Sequence, residues 1–267
     1  MRIYELGEGT PELAVVGGIH GDEPCGPLAI EQLLAEEPAV ERPVKFIIAN
    51  EEALKAGQRY LDADLNRVFP GDAEAEAHER RLAHDIAREI QGCTTLALHS
   101  TQSTSKPMGV IRSVDEVARA IYPRLPVDVL IETDAHTAGR LIEYPHTIEV
   151  ECGLQGTDEA AKNGYDLIRA FLAATGALAV PDADSRFDTP DPEEVHVFRL
   201  QQPIPKPDGN SYEVFVTNFE PVSEGTAFAA VDGETLYAET DFYPVLFSPN
   251  GYEDIFGYVA ERVGYVS

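Results

Sequence analysis

The 267-residue chain is short of positive charge: 20 Lys and Arg stand against 47 Asp and Glu, a formal net charge of −27. A surface of that sign repels nucleic acid and anionic membrane, so neither is an expected partner. The acids are spread through segments such as "EQLLAEEPAVE" and "GDAEAEAHERR" rather than gathered in a tail. The excess therefore reads as a property of the whole surface, suited to a salt-rich interior in which screening removes self-repulsion.

Cysteine is scarce too. Cys25, Cys93 and Cys152 are odd in number, far apart and in no CxxC pattern, which argues against a disulfide framework or a thiolate zinc site and for buried free thiols. Long apolar runs are missing, and the opening "MRIYELGEGTPELAVV" has neither the basic stretch nor the apolar stretch of a secretion signal. The expectation is a soluble cytoplasmic protein. With 43% apolar residues, the chain can bury a sizeable core, as one large domain or a main domain plus a small one.

Short β-rich runs at 12–19, 43–49, 94–98, 108–112, 127–131 and 147–151 are interleaved with helical patterns such as "CGPLAIEQLLAEE" and "DEAAKNGYDLIRAFLAATG". Such alternation predicts an α/β domain with a mixed, largely parallel sheet flanked by helices over residues 1–180. A Pro- and Asp-rich stretch at 181–194 reads as a linker. Beyond it, residues 195–267 carry short alternating runs and an Asp-Gly hairpin signal, which predicts a small β-rich C-terminal domain.

Three constellations carry chemistry. In "VVGGIHGDEPCG", His20 and Glu23 sit three apart on the turn after a strand, and glycines at 17, 18 and 21 suit a tight or closely approached backbone. By itself the pair also reads as polar residues closing a loop. A third ligand candidate is His99, at the end of the strand "TTLALHS", where an open α/β sheet builds its sites. His78, in a charged helical pattern, reads as solvated. The second constellation, "RYLDADLNRVFPG", offers Arg59, Asn66 and Arg67 as donors for a carboxylate, unusual in a chain so short of cations; each Arg also reads as a surface ion pair. The third, "YPHTIEVECGLQG", places Glu149 and Glu151 on one face of a β-run. They suit a carboxylate beside an activated water, or else the solvated face of an edge strand.

Together and in this order, these segments resemble the aspartoacylase/succinylglutamate desuccinylase family, a branch of the zinc carboxypeptidase fold. The likeness continues in "VSEGTAFAAVDGETL" and "FYPVLFSPNGYEDIFGYVAE", similar to the C-terminal domain that covers the cleft of aspartoacylase. The resemblance implies His20, Glu23 and His99 as ligands of one zinc ion per chain, although cobalt or manganese suits the same ligand types. It further implies Asn66 and Arg67 as holders of the substrate carboxylate, Arg59 as the group that polarises the scissile carbonyl, and Tyr252 as a residue reaching into the site. Arg140 is an off-register match to the arginine for a second carboxylate. The general base stays open between two residues. The gap-free match "YPxxIEVxxxxQG" picks Glu149, and the family's Glu, apolar, Gly habit picks Glu151 in Glu151-Cys152-Gly153. Where aspartoacylase has an Asp two residues before its third ligand, this chain has Ala97.

The implied activity is hydrolysis of the amide of a small N-acyl amino acid, a linear amide rather than a peptide bond, with a small-molecule carboxylate as substrate. Rival expectations are a metallocarboxypeptidase and a non-enzymatic zinc- or carboxylate-binding module. A homo-oligomer is compatible with the sequence.

Overall fold

Strands that are apolar on both faces must be covered on both, and the central strands here have that character. In the computed structural model, which describes residues 1–134, 138–178 and 194–267, the order is β1 (Arg2–Leu6), β2 (Leu13–Gly17), α1 (Cys25–Ala35), β3 (Val44–Ile48), α2 (Glu51–Ala56), α3 (His78–Glu89), β4 (Thr94–Thr101), β5 (Met108–Ile111), α4 (Glu116–Ile121), β6 (Val129–Glu132), β7 (Thr147–Leu154) and α5 (Asp158–Ala174). Six strands follow: β8 (Val195–Pro205), β9 (Tyr212–Val214), β10 (Ala227–Val231), β11 (Glu234–Tyr237), β12 (Tyr243–Val245) and β13 (Ile255–Val266).

Ten strands form one sheet in the order β1-β3-β2-β4-β7-β5-β6-β8-β13-β12. Pairings β2/β3, β2/β4, β4/β7, β5/β6 and β6/β8 are parallel; β1/β3, β5/β7, β8/β13 and β12/β13 are antiparallel. Leu13 and Val15 of β2 pack into one apolar layer, with Ile30 of α1 and Ile168 and Phe171 of α5; Ala14 and Val16 pack into the other, with Leu82, Ala83 and Ile86 of α3. Burying each large side chain of this kind contributes about 1.5–3 kcal/mol, so the two covered faces, more than local propensity, fix the strands. All three cysteines are buried and free.

The mixed α/β architecture matches the sequence expectation. The expected domain edge at residue 195, however, is not an edge of the sheet. β8 lies parallel to β6 and pairs with the long, irregular β13, carrying the sheet onward into the C-terminal lobe. There β9, β10 and β11 form a separate three-stranded sheet over a cluster that includes Phe228, Phe242, Phe247 and Phe256. The expected linker falls, apart from Glu194, outside the described residues. No described helix is long and apolar enough to cross a membrane.

Candidate metal centre and substrate cleft

The turn after β2 is built for close approach. Gly18 has φ +71°, and a Cβ on Gly21 would overlap the backbone of Ala53 and Gln58. Gly21 N donates to Arg59 O at 3.1 Å, so the turn bearing His20 and Glu23 is clamped between α2 and the loop that follows it. His99 comes from the neighbouring strand β4, at the same end of the sheet.

These three buried side chains meet, with one ligand atom of each within 4.8 Å of the others. Glu23 is the hub: its Oε1 accepts from His20 Nδ1 at 2.8 Å and Arg59 Nη1 at 3.2 Å, and its Oε2 from His99 Nδ1 at 3.2 Å and Ser100 N at 3.0 Å. Each imidazole turns its other nitrogen to a carboxylate, His20 Nε2 to Asp64 Oδ1 at 3.1 Å and His99 Nε2 to Glu149 Oε1 at 3.9 Å. A ligating His nearly always offers its second nitrogen to such a group. Two imidazoles and a carboxylate converging in one buried cluster fit a catalytic zinc site. Burial opposes charge on His99, but the hydrogen bond and charge of Glu23, with Glu149 and Glu151, hold its pKa up at about 9. Burial likewise pushes Glu23 up, yet the two histidines keep it well below the usual carboxylate range.

The loop at 59–67 is ordered from beneath by Glu79 of α3. This buried carboxylate accepts from the backbone N–H groups of Leu61, Asp62 and Ala63 at 2.7, 3.0 and 3.1 Å, and from Asn50 Nδ2 at 3.1 Å. The loop then delivers Asp64, which receives Arg59 Nε at 3.1 Å as well as His20. Asn66 is buried, its Oδ1 accepting from Leu141 N at 2.9 Å, which leaves its amide nitrogen as donor. Desolvation and the neighbouring Arg140 both lower the Arg67 pKa. Among the described residues, neither Arg67 nor Arg140 forms an ion pair.

Glu149 and Glu151 lie on β7, a central strand held between β4 and β5, which excludes the reading of a solvated edge. Their neighbours Ile148, Val150 and Cys152 enter the apolar layer of α1 and α5. Register pairs Ala97 with Glu149 and His99 with Glu151. Burial pushes the Glu151 carboxyl up to about 7, with His99 pulling against it and Glu23 and Glu149 adding to it. The Tyr252 phenol is raised by burial, by Tyr258 and by Glu151.

All ten residues singled out in the sequence line one cavity of about 410 Å³: His20, Glu23 and His99; Glu149 and Glu151; Arg59, Asn66 and Arg67; Arg140 and Tyr252. Asp64, Glu79 and Asn50 were not anticipated. Asp64 is readable only as part of an acidic loop, and Glu79 only once α3 is placed under that loop. His78, expected to be solvated, is partly buried with Nε2 3.3 Å from Asn50 Oδ1.

Known proteins resemble this chain in sequence and in fold. The family model for the succinylglutamate desuccinylase/aspartoacylase catalytic domain matches residues 9–120. A probable aspartoacylase of Synechococcus sp. (strain CC9605) is 31% identical over 197 residues, covering 63% of this chain and 64% of its own length. A succinylglutamate desuccinylase of Burkholderia lata is 28% identical over 88% of this chain and 74% of its own. The chain spans 60–64% of the length of the Prochlorococcus and Synechococcus relatives it matches. In fold it superposes on the ectoine utilization protein EutE (DoeB) of Ruegeria pomeroyi with a TM-score of 0.75 at 18% identity, covering 99% of this chain and 88% of that one. It superposes on murine aminoacylase 3 with a TM-score of 0.72 at 21% identity, covering 97% and 98%.

Proposed function

We propose, on the premise that this chain belongs to the succinylglutamate desuccinylase/aspartoacylase family, that it is a zinc-dependent hydrolase of the amide bond in a small N-acyl amino acid. One observation carries the reading: a buried His-Glu-His cluster shares its cavity with the carboxylate of Glu151 and with Arg67 and Arg140, which form no ion pair among the described residues.

His20, Glu23 and His99 would hold the ion. Bound there, zinc supplies Lewis acidity, which brings water towards nucleophilic form near neutral pH and polarises a carbonyl oxygen. Glu151, poised near pH 7, takes the proton of the attacking water on its carboxylate and returns it to the leaving amine nitrogen. Arg59, pinned by Glu23 and Asp64, donates to the oxygen on which charge develops, a contribution of the kind worth about a hundred- to a thousandfold in rate. Asn66, Arg67 and Arg140 hold the substrate carboxylate and orient the amide for attack. Residues of the C-terminal lobe, Ser248, Gly251 and Tyr252 among them, close the far wall of the cavity, which favours a small acyl amino acid over a peptide. A soluble, cytoplasmic setting and a small-molecule partner belong to the same proposal.

The test is metal content and amine release on a panel of N-acetyl and N-succinyl amino acids, with a short peptide alongside, for wild type and His20→Ala. Near-stoichiometric zinc and turnover of an acyl amino acid, both lost in the variant, are expected. Turnover of the peptide alone would move the assignment to a carboxypeptidase. Zinc without turnover would move it to a binding module.

A further inference from the structure

Glu149 and Glu151 share a strand face but do not share a place. Glu151 is registered opposite His99, and Glu149 one pleat repeat back, opposite Ala97. His99 meets Glu23 through Nδ1 on one side of its ring, while Glu149 Oε1 lies 3.9 Å from Nε2 on the other. Both of those facing atoms, His99 Nε2 and Glu149 Oε1, are buried and have no hydrogen-bond partner among the described residues. His99's own strand supplies no acceptor two residues back, because that position is Ala97, buried in the apolar layer. A buried ring N–H facing an unsatisfied carboxylate oxygen is a contact one side-chain adjustment away: contraction by about 1 Å makes it a charge-assisted hydrogen bond. The strand itself is fixed, since the buried Tyr122 hydroxyl donates to Glu149 O at 2.9 Å and to Val110 O at 2.7 Å. Any contraction therefore falls to the Glu149 side chain and the His99 ring.

We infer that Glu149 is a positioning residue for His99, reaching across from β7 to accept its Nε2–H and fix Nδ1 as the ligating nitrogen, so that Glu151 alone is left as the general base. The inference rests on the reading of His20, Glu23 and His99 as metal ligands. A second carboxylate that orients a ligating His typically sets its metal affinity by a factor of 10–100. A Gln at 149 keeps a neutral acceptor and an Ala keeps none, so the two variants grade the loss. A general base at 149 would give the opposite pattern, with turnover lost and metal retained.

The experiment is zinc affinity by chelator competition on wild type, Glu149→Gln, Glu149→Ala and Glu151→Gln, each confirmed folded by circular dichroism. The zinc-loaded forms are also compared by imidazole ¹⁵N NMR. Expected is a loss of about tenfold in Glu149→Gln and about a hundredfold in Glu149→Ala, with Glu151→Gln holding zinc like wild type. The His99 Nε2–H resonance moves upfield in Glu149→Gln, and not in Glu151→Gln. Wild-type zinc affinity in both Glu149 variants, or an unmoved His99 resonance, overturns the inference. Failure of the wild type to bind zinc overturns the metal reading beneath it, a separate and distinguishable result.

Discussion

The two ends of the cavity are built on opposite principles. At the metal end the ligand charges are shared inside the protein: Glu23 serves His20, His99 and Arg59, and Asp64 serves His20 and Arg59. At the other end Arg140 stands close enough to lower the Arg67 pKa, and neither forms an ion pair among the described residues. Although the chain has 47 acids to 20 bases, these two guanidiniums line the cavity with no ion-paired carboxylate among the described residues. Self-satisfied charge makes a rigid cradle for a permanent occupant. Unsatisfied charge waits for an anion that comes and goes. The difference separates holding from recognising, and four perturbations bear on it.

The largest effect belongs to the metal end. Removing His99 with His99→Ala takes one of three ligands and strands Glu23 in a buried site, so zinc stoichiometry should fall close to zero and turnover with it. Glu151→Gln should instead leave zinc in place while kcat falls by about 10²–10⁴, the usual share of a general acid–base group. Atomic absorption beside steady-state kinetics reads both. Zinc lost with Glu151→Gln would place that residue among the ligands and erase the distinction between cradle and base.

At the recognising end, Arg67→Ala and Arg140→Ala should raise KM with little change in zinc content. A hydrogen-bonded carboxylate contact is worth about 1.5–3 kcal/mol, hence a rise of roughly 10- to 150-fold for the arginine that carries the tighter contact. Kinetics on a matched pair of acyl amino acids, one with and one without a second carboxylate, sharpen this: the arginine bound to the second carboxylate affects only the first substrate. Equal effects on both would assign the two guanidiniums to a single carboxylate.

The third perturbation is pH. Zinc and protons compete for the same imidazole nitrogens, and His99, burial notwithstanding, is held at about 9 by Glu23, Glu149 and Glu151. Apparent zinc affinity should climb by up to about tenfold per pH unit for each proton displaced, and the His99 contribution should level off above about pH 9. The zinc-free protein carries the converse signature. With His99 raised from an ordinary 6.5 in the unfolded chain to about 9 when folded, the native state binds the extra proton, so its stability is fully present below about 6.5 and is lost as pH rises towards 9. Zinc-loaded protein should lack that decline. Thermal melts of both forms across this range measure it.

Much of the site could be read in the chain because ligands and donors had to be particular residue types at particular spacings. His20 and Glu23 share one turn, and Arg59, Asn66 and Arg67 share one loop. The two acids on β7 announced themselves by breaking an apolar strand. What stayed hidden depends on packing between distant segments. The sheet's continuation through β6 and β8 is a pairing that no local pattern encodes, and β1 and β13 gave no clear alternation among exposed residues. That Glu151 rather than Glu149 stands opposite His99 likewise needed register, because a difference of two residues on one face is invisible until the neighbouring strand is placed.

Glu79 gives the smallest expected effect and the finest test of how the two ends are joined. It touches neither zinc ligand nor substrate group, yet its carboxylate takes three consecutive backbone N–H groups, Leu61 to Ala63, of the loop that carries Arg59 and Asp64 to one end and Asn66 and Arg67 to the other. Burial pushes this carboxyl up, but those donors and Asn50 outweigh it and leave the pKa lowered, so its contribution is present above the ordinary carboxylate pKa and fades only in acid. Glu79→Gln is isosteric but offers one acceptor atom where there were two, and turns an NH₂ towards backbone donors. A cost of about 1–3 kcal/mol follows, or roughly 2–4 °C in Tm for each kcal/mol in a chain of this size. Since His99 makes no bond to this loop and Glu23 meets it only through Arg59, zinc affinity should change less than KM. A loss of zinc larger than the rise in KM would mean that the loop, through Asp64, braces His20 more than it presents the arginines, and the cavity would then have one construction rather than two.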